Sequence, residues 1–165
     1  MAAPPKDART VLKFANDHAH WSIDLADTKA NVIMAAGAIL AGLLINQSVP
    51  ACGGGARYLL LLAVVLSLSS ACAGLGTLFP RTRSAGQGSL LHFVDIDRFP
   101  DAAAYLASVQ NLTPADADRE LAKQTWELAR IEDRKFFWLR WAFRLFGLCL
   151  TAAIIGVVWA RLACG

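Results

Sequence analysis

The chain has 165 residues, 56% of them hydrophobic against 18% charged, and a formal net charge of +3. That balance excludes an ordinary soluble domain of this length and reads as a membrane protein. Asp7, Asp17, Asp24 and Asp27 all precede the first apolar run, which a cleaved signal peptide would not tolerate.

Residues 1–7, with Pro4 and Pro5, read as a loose leader. Val11, Phe14, His18, Trp21 and Leu25 then recur at spacings of three and four, which places them on one stripe of a helix that continues into Thr28 and Val32. The segment 1–29 is therefore expected as a cytoplasmic amphipathic helix that starts in water and finishes in lipid. Ala30 to Ile45 is apolar but short for a span, whereas Tyr58 to Phe79 has no charge and suffices alone. Pro50 and Gly53-Gly54-Gly55 between them predict a turn, so 30–79 reads as a transmembrane hairpin with spans at 30–47 and 58–79. Without a following Lys and Ser/Thr these glycines are not a phosphate loop. Small residues pair along the spans, Gly37 with Ala41, Ala38 with Gly42, Gly74 with Gly76 and Ala152 with Gly156. Such pairs let helices approach closely in lipid, within one protomer or between protomers.

Pro80 to Ser89 predicts a flexible exit from the second span, and Leu90 to Pro100 a short extended segment packed on the helices. Asp101 to Val109 reads as a short helix. Thr113-Pro114-Ala115-Asp116 is an N-terminal cap, with a hydroxyl for the orphan amides, Pro at the first helical position and a carboxylate favoured by the helix dipole. Leu121, Leu128, Phe136, Leu139 and Phe143 follow on one stripe with Thr125 and Glu132, and no Gly or Pro intervenes before Gly147. The helix is thus expected to run from the cytoplasmic helical segment, 80–141, into a third span at 142–162. At about 1.5 Å per residue such a rod far exceeds the roughly 30 Å hydrocarbon core, so much of it stands in water. The fold class is all-α: an integral membrane helical bundle with three transmembrane helices. The first and third extend as amphipathic helices into the cytoplasm, where they are expected to bury their stripes against each other.

Orientation follows from Lys and Arg. Lys6, Arg9, Lys13 and Lys29 precede the first span, only Arg57 lies in the hairpin, ten lie between Arg81 and Arg144, and Arg161 alone follows. This multi-pass chain should keep its N-terminus and middle segment in the cytoplasm and its C-terminus outside. The positive charge suits lipid headgroups and topology; no nucleic-acid partner is expected. Of the cysteines, Cys72 and Cys149 read as small apolar fillers within spans, while Cys52 and Cys164 would share the outer face, where a disulfide is chemically allowed.

No catalytic constellation is present: no nucleophile elbow, no HExxH and no Cys-His pair in a soluble core. His18 and His20 point about 200° apart on a helix and cannot share one ion, and His20 with Asp24 suits a hydrogen bond better than a metal. The chain is read as a non-enzyme without metal or cofactor. Polar clusters mark the span mouths: Asp24, Asp27, Thr28 and Lys29 on one helix, and Arg130 to Arg140 with Trp138 and Trp141 on the other, the latter suited to an interfacial belt.

HWSIDLADTKANVIMAAGAILAGLL, LLHFVDIDRFPDAAAYLASV and LAKQTWELARIEDRKFFWLRWAFRLFG together resemble the small transmembrane effectors of bacterial Pycsar antiphage defence. An ADTKA-like motif precedes the first span in that family, and RKFFWLRWAF resembles its Lys-aromatic-x-x-Leu-Arg-x-Ala-aromatic pattern. The resemblance implies an inner-membrane effector that senses cyclic CMP or cyclic UMP, made by a neighbouring cyclase on infection, and disrupts the membrane in abortive infection; three slender spans enclose no aqueous path alone, so a homo-oligomer is expected. Such a ligand needs a cation for its phosphate and a flat side chain for its base. Lys29, Arg98, Arg130, Arg134 and Lys135 are candidates for the first, and Trp21, Phe93, Phe99 and Trp126 for the second. Asp24, Asp27 or His92 would read the base edge. The alternatives are a membrane adaptor or structural subunit that binds a protein partner, and a constitutive small channel.

Overall fold

The computed structural model describes residues 8–46, 54–79, 90, 91 and 93–164. Five helices follow in order among the described residues: α1 Ala8–Ile45, α2 Gly54–Leu78, α3 Phe93–Ile96, α4 Ala102–Gln110 and α5 Pro114–Cys164. No strand occurs among the described residues. Three helices are long and apolar enough to cross a membrane, within Arg9–Ile45, Gly54–Leu78 and Pro114–Ala163. The chain divides into two compact units, one of Met1–Asp24 with Pro80–Asp133 and the other of Leu25–Phe79 with Arg134–Gly165. Both α1 and α5 contribute residues to each.

The second unit holds the apolar spans. Its buried residues form three layers: Ala26, Ala30 and Leu139; Ile33, Ala73 and Ala142; and Leu44, Leu60, Ala63, Cys149, Ala152 and Ala153. Most are small, so the backbones lie close enough for side chains of one helix to bond the carbonyls of the next. The Ser67 hydroxyl donates to the Gly37 carbonyl at 2.7 Å, Ser70 to Ala142 at 2.8 Å, and the Cys149 thiol to Ala63 at 3.1 Å. The partners step down α2 from Ser70 to Ala63 as they step up α5 from Ala142 to Cys149, and from Gly74 beside Met34 to Ser67 beside Gly37 as they step up α1, so α2 is antiparallel to both. A hydroxyl in lipid has no water to bond, and these bonds both satisfy it and fix the register.

Small-residue pairs divide by face. Gly37, Ala41, Ala152 and Gly156 are buried in the protomer, and a Cβ at Gly37 would lie 3.2 Å from the Ser67 carbonyl oxygen. Ala38 and Gly42 face outwards, and a Cβ at Gly42 would meet nothing within 4 Å. Cys149 is the buried filler expected of it, but Cys72 is exposed. Cys52 lies outside the described residues, and so does the Cys164 side chain, so the disulfide chemically allowed between them is outside them too.

In the first unit α5 begins as its sequence dictates. The Thr113 hydroxyl accepts from the Asp116 amide at 3.2 Å and donates to the Asp116 carboxylate at 2.6 Å, and Arg119 closes on the other carboxylate oxygen at 3.1 Å. Asp101 caps α4 by accepting from the Ala104 amide at 2.7 Å. The expected extended segment at 90–100 is instead helical over Phe93–Ile96 and turned at Asp97 and Arg98. A helical turn satisfies these backbone groups locally: the Arg98 and Phe99 amides donate to the carbonyls of Asp95 and Ile96. Tyr105 holds the segment by donating to the Leu90 carbonyl at 3.0 Å, with its ring edge-on to Phe99.

The expected apolar stripe of the first helix faces the wrong way. Val11, Phe14, Trp21 and Val32 are exposed, Phe14 at 71%, and the buried positions are Ala19 and Ser22, continuing at Ala26 and Ala30. Close helix packing selects small side chains over large ones, so size rather than hydrophobicity marks the inner face here. The α5 stripe is correct through Leu128 and Phe136, which are half-buried, to buried Leu139; it fails at Phe143, which is exposed where Ala142 turns inwards.

Candidate functional site

In the first unit, α1 carries an exposed ladder of rings. Phe14, His18 and Trp21 fall on one face at spacings of four and three, and their ring centroids are 6.1 and 5.9 Å apart with interplanar angles of 9° and 28°. On α5, Trp126 is exposed, and one turn on the Arg130 guanidinium lies over it, 4.9 Å from the ring centroid. A flat π-face next to a cation suits a planar base and a phosphate. In α3 the Asp95 side chain is buried and accepts from Arg98 at 3.1 Å. At the start of α5 the Thr113 hydroxyl, more than the Arg119 charge, holds the Asp116 carboxyl below its usual value against some desolvation.

In the second unit Lys135 donates to both carboxylate oxygens of Asp27, at 2.5 and 2.6 Å. The Lys135 side chain is 14% exposed and that of Asp27 33%, so this ion pair ties α1 to α5 in a partly dehydrated place. Lys29 and Arg134, the neighbours expected to act with them, are exposed. The candidate residues thus fall into two sets. Trp21, Asp24, Arg98, Trp126, Arg130 and the backbone of Phe93 belong to the first unit, and Asp27, Lys29, Arg134 and Lys135 to the second. His92 lies outside the described residues.

Two polar atoms escape the sequence reading. Asn16 Oδ1 and Glu120 Oε2, both in the first unit, are buried without a hydrogen-bond partner. An unpaired buried acceptor costs about 1–3 kcal/mol, so these are places where a ligand or water donor is welcome. Asn16 stands close to Ala15 and Ala19 on the small-residue face of α1, a face that size rather than hydrophobicity would have revealed. Among the described residues no group of His, Cys, Asp and Glu is placed to hold a metal ion.

A family model, PycTM, the Pycsar effector protein domain, matches residues 11–162. The chain belongs to this family. No curated relative and no solved structure matches it. The Pycsar effector is accordingly a transmembrane protein of antiphage defence, and its family is not a known enzyme family. The match covers α1 from Val11 onwards, α2 and all but the last residues of α5, so the aromatic ladder and the Asp27–Lys135 pair lie inside the family domain.

Proposed function

We propose that this Pycsar effector senses cyclic CMP or cyclic UMP with the exposed aromatic and basic groups of its first unit and responds by disrupting the inner membrane. The observation that carries the reading is helix continuity. α1 and α5 each run unbroken, over Ala8–Ile45 and Pro114–Cys164, from the unit with the exposed rings and arginines into the unit with the apolar spans. A ligand that orders one end of a continuous helix biases the other end directly. Trp126 with Arg130, and Trp21 with its stacked neighbours, are the favoured contacts. Lys135 already neutralises Asp27.

The spans open as an oligomer. Of the sparse polar groups in the spans, Ser67 and Ser70 are bonded between helices of the protomer and Thr151 within its own helix, which leaves too few to line an aqueous route in one copy, so several copies are required. To swing a population from about 1% to about 99% open, the nucleotide must favour the open arrangement by about 5.5 kcal/mol. Isothermal titration of detergent-solubilised protein with cyclic CMP and cyclic UMP tests the sensing step. Trp126→Ala and Arg130→Ala each weaken binding at least tenfold if the reading holds; equal affinity in both variants refutes the site.

Liposomes containing the effector hold a small dye until nucleotide is added. Gly42→Ile, which points away from the protomer, blunts the release and spares binding. Release that needs no nucleotide supports a constitutive channel. The exposed Phe14 and Trp21 favour one other reading, an adaptor with a protein partner, which predicts no release under any ligand. With the N-terminus cytoplasmic, membrane-impermeant maleimide under reducing conditions labels Cys52 and Cys164 on intact cells; labelling only after lysis reverses the orientation.

A further inference from the structure

The spanning unit contains a groove of about 840 Å³ between α2 and α5, lined by Val65, Leu68, Cys72, Trp138, Trp141 and Leu145 among others. Its volume falls within the roughly 300–1,000 Å³ of small-molecule sites, and its walls are almost wholly apolar. Measured along the lining residues, at about 1.5 Å per residue, it is roughly 12 Å long, most of one leaflet of a core about 30 Å thick.

At its side stands a charge without an acidic partner. Arg144 lies in the apolar stretch that follows Trp141, and among the described residues no carboxylate forms an ion pair with it. Its guanidinium instead lies 5.4 Å from the centroid of the Trp141 ring, one wall of the groove. Helix side chains lean towards the helix N-terminus, so Arg144 reaches back towards the interfacial level of Trp138 and Trp141. An arginine in a span is costly unless an anion meets it. Arg140 adds a second exposed cation one turn earlier, with its Nε donating to the Phe136 carbonyl at 3.3 Å.

We propose that the groove between α2 and α5 is a binding site for an anionic phospholipid, with one acyl chain along Leu68, Cys72 and Leu145 and the headgroup phosphate on Arg144. A zwitterionic lipid could fill the same apolar walls, but its own cation would compete for the phosphate. The site therefore selects by headgroup charge and not by chain. A soluble phosphate has no use for the apolar walls. The inference stands apart from nucleotide sensing, since it involves only the spanning unit and no added nucleotide.

The full chain is reconstituted into phosphatidylcholine vesicles doped with brominated phosphatidylglycerol or, in parallel, with brominated phosphatidylcholine, and tryptophan fluorescence is read. The anionic brominated lipid should quench several-fold more than the zwitterionic one at equal mole fraction. Arg144→Gln should bring the two to parity, Arg144→Lys should retain most of the preference, and Arg161→Gln should retain all of it. Ser69→Phe, which fills the groove, should lower quenching by both lipids, and soluble glycerol phosphate should not compete. Parity in the parent, an unchanged preference in Arg144→Gln, or quenching by the anionic lipid that Ser69→Phe leaves intact would each overturn the proposal.

Discussion

The two units of the effector use polar groups in opposite ways. In the spanning unit the buried hydroxyls of Ser67 and Ser70 donate to carbonyls of neighbouring helices, and Lys135 is closed on Asp27. In the other unit Asn16 and Glu120 each leave a buried oxygen unpaired, and Phe14, Trp21 and Trp126 stand exposed. Lipid supplies no hydrogen bonds, so the buried hydroxyls of Ser67 and Ser70 are matched within the protein. The other unit keeps a looser arrangement, with exposed aromatic faces and buried acceptors that no donor meets.

The sharpest way to break the contrast is to crowd the close helix contact. Gly37→Leu forces α1 from α2 at the Ser67 carbonyl and should cost about 3 kcal/mol, seen as a lower melting temperature in detergent. Gly42→Leu, where nothing lies within 4 Å, should leave the protomer near parental stability. If the two variants melt alike, the face assignment of α1 is wrong.

Asp27→Ala should follow, at about 2–3 kcal/mol, because it strands the half-dehydrated Lys135 ammonium. The figure sits below that of a fully buried pair since the Asp27 side chain is one-third exposed, at 33%. The double variant Asp27→Ala with Lys135→Met should recover most of the loss, and a double-mutant cycle measures the coupling. No recovery would show that the pair does not join the helices.

Ser70→Ala should cost about 1 kcal/mol, the worth of one interhelical hydroxyl bond in lipid. Ser108→Ala, which removes a bond to Ala104 within α4, should be close to neutral. Equal losses would erase the distinction between the two units.

The smallest effect concerns the start of α5. Thr113→Ala should lower local stability by under about 1 kcal/mol, read as faster amide exchange over the first turn. The Asp116 carboxyl has its pKa lowered in the fold from the ordinary 3.8. Its stabilising contribution is therefore present above that value and lost as pH falls through the lower folded one. Exchange at the Asp116 amide should rise in that acid window in the parent and change less in Thr113→Ala.

The sequence by itself determined the helices and their solvent. Thr113-Pro114 fixed the start of α5, Asp101 capped α4, and the uncharged run from Tyr58 to Phe79, long enough for the hydrocarbon core, required a span, all through local chemistry readable along the chain. It also carried the family motifs that bracket the first and third spans. Tertiary structure alone decided which face of each helix turns inwards. Periodicity places Val11, Phe14 and Trp21 on one stripe, but it says nothing of whether that stripe meets a neighbouring helix or the solvent. In a bundle held by close backbone approach, the inward face belonged to Ala19, Ser22, Ala26 and Gly37. In the same way Lys135 and Asp27, 108 residues apart, are ordinary interfacial charges in the sequence. They become a bond between helices because the parallel register of α1 and α5, set by packing over many residues, puts them at one level.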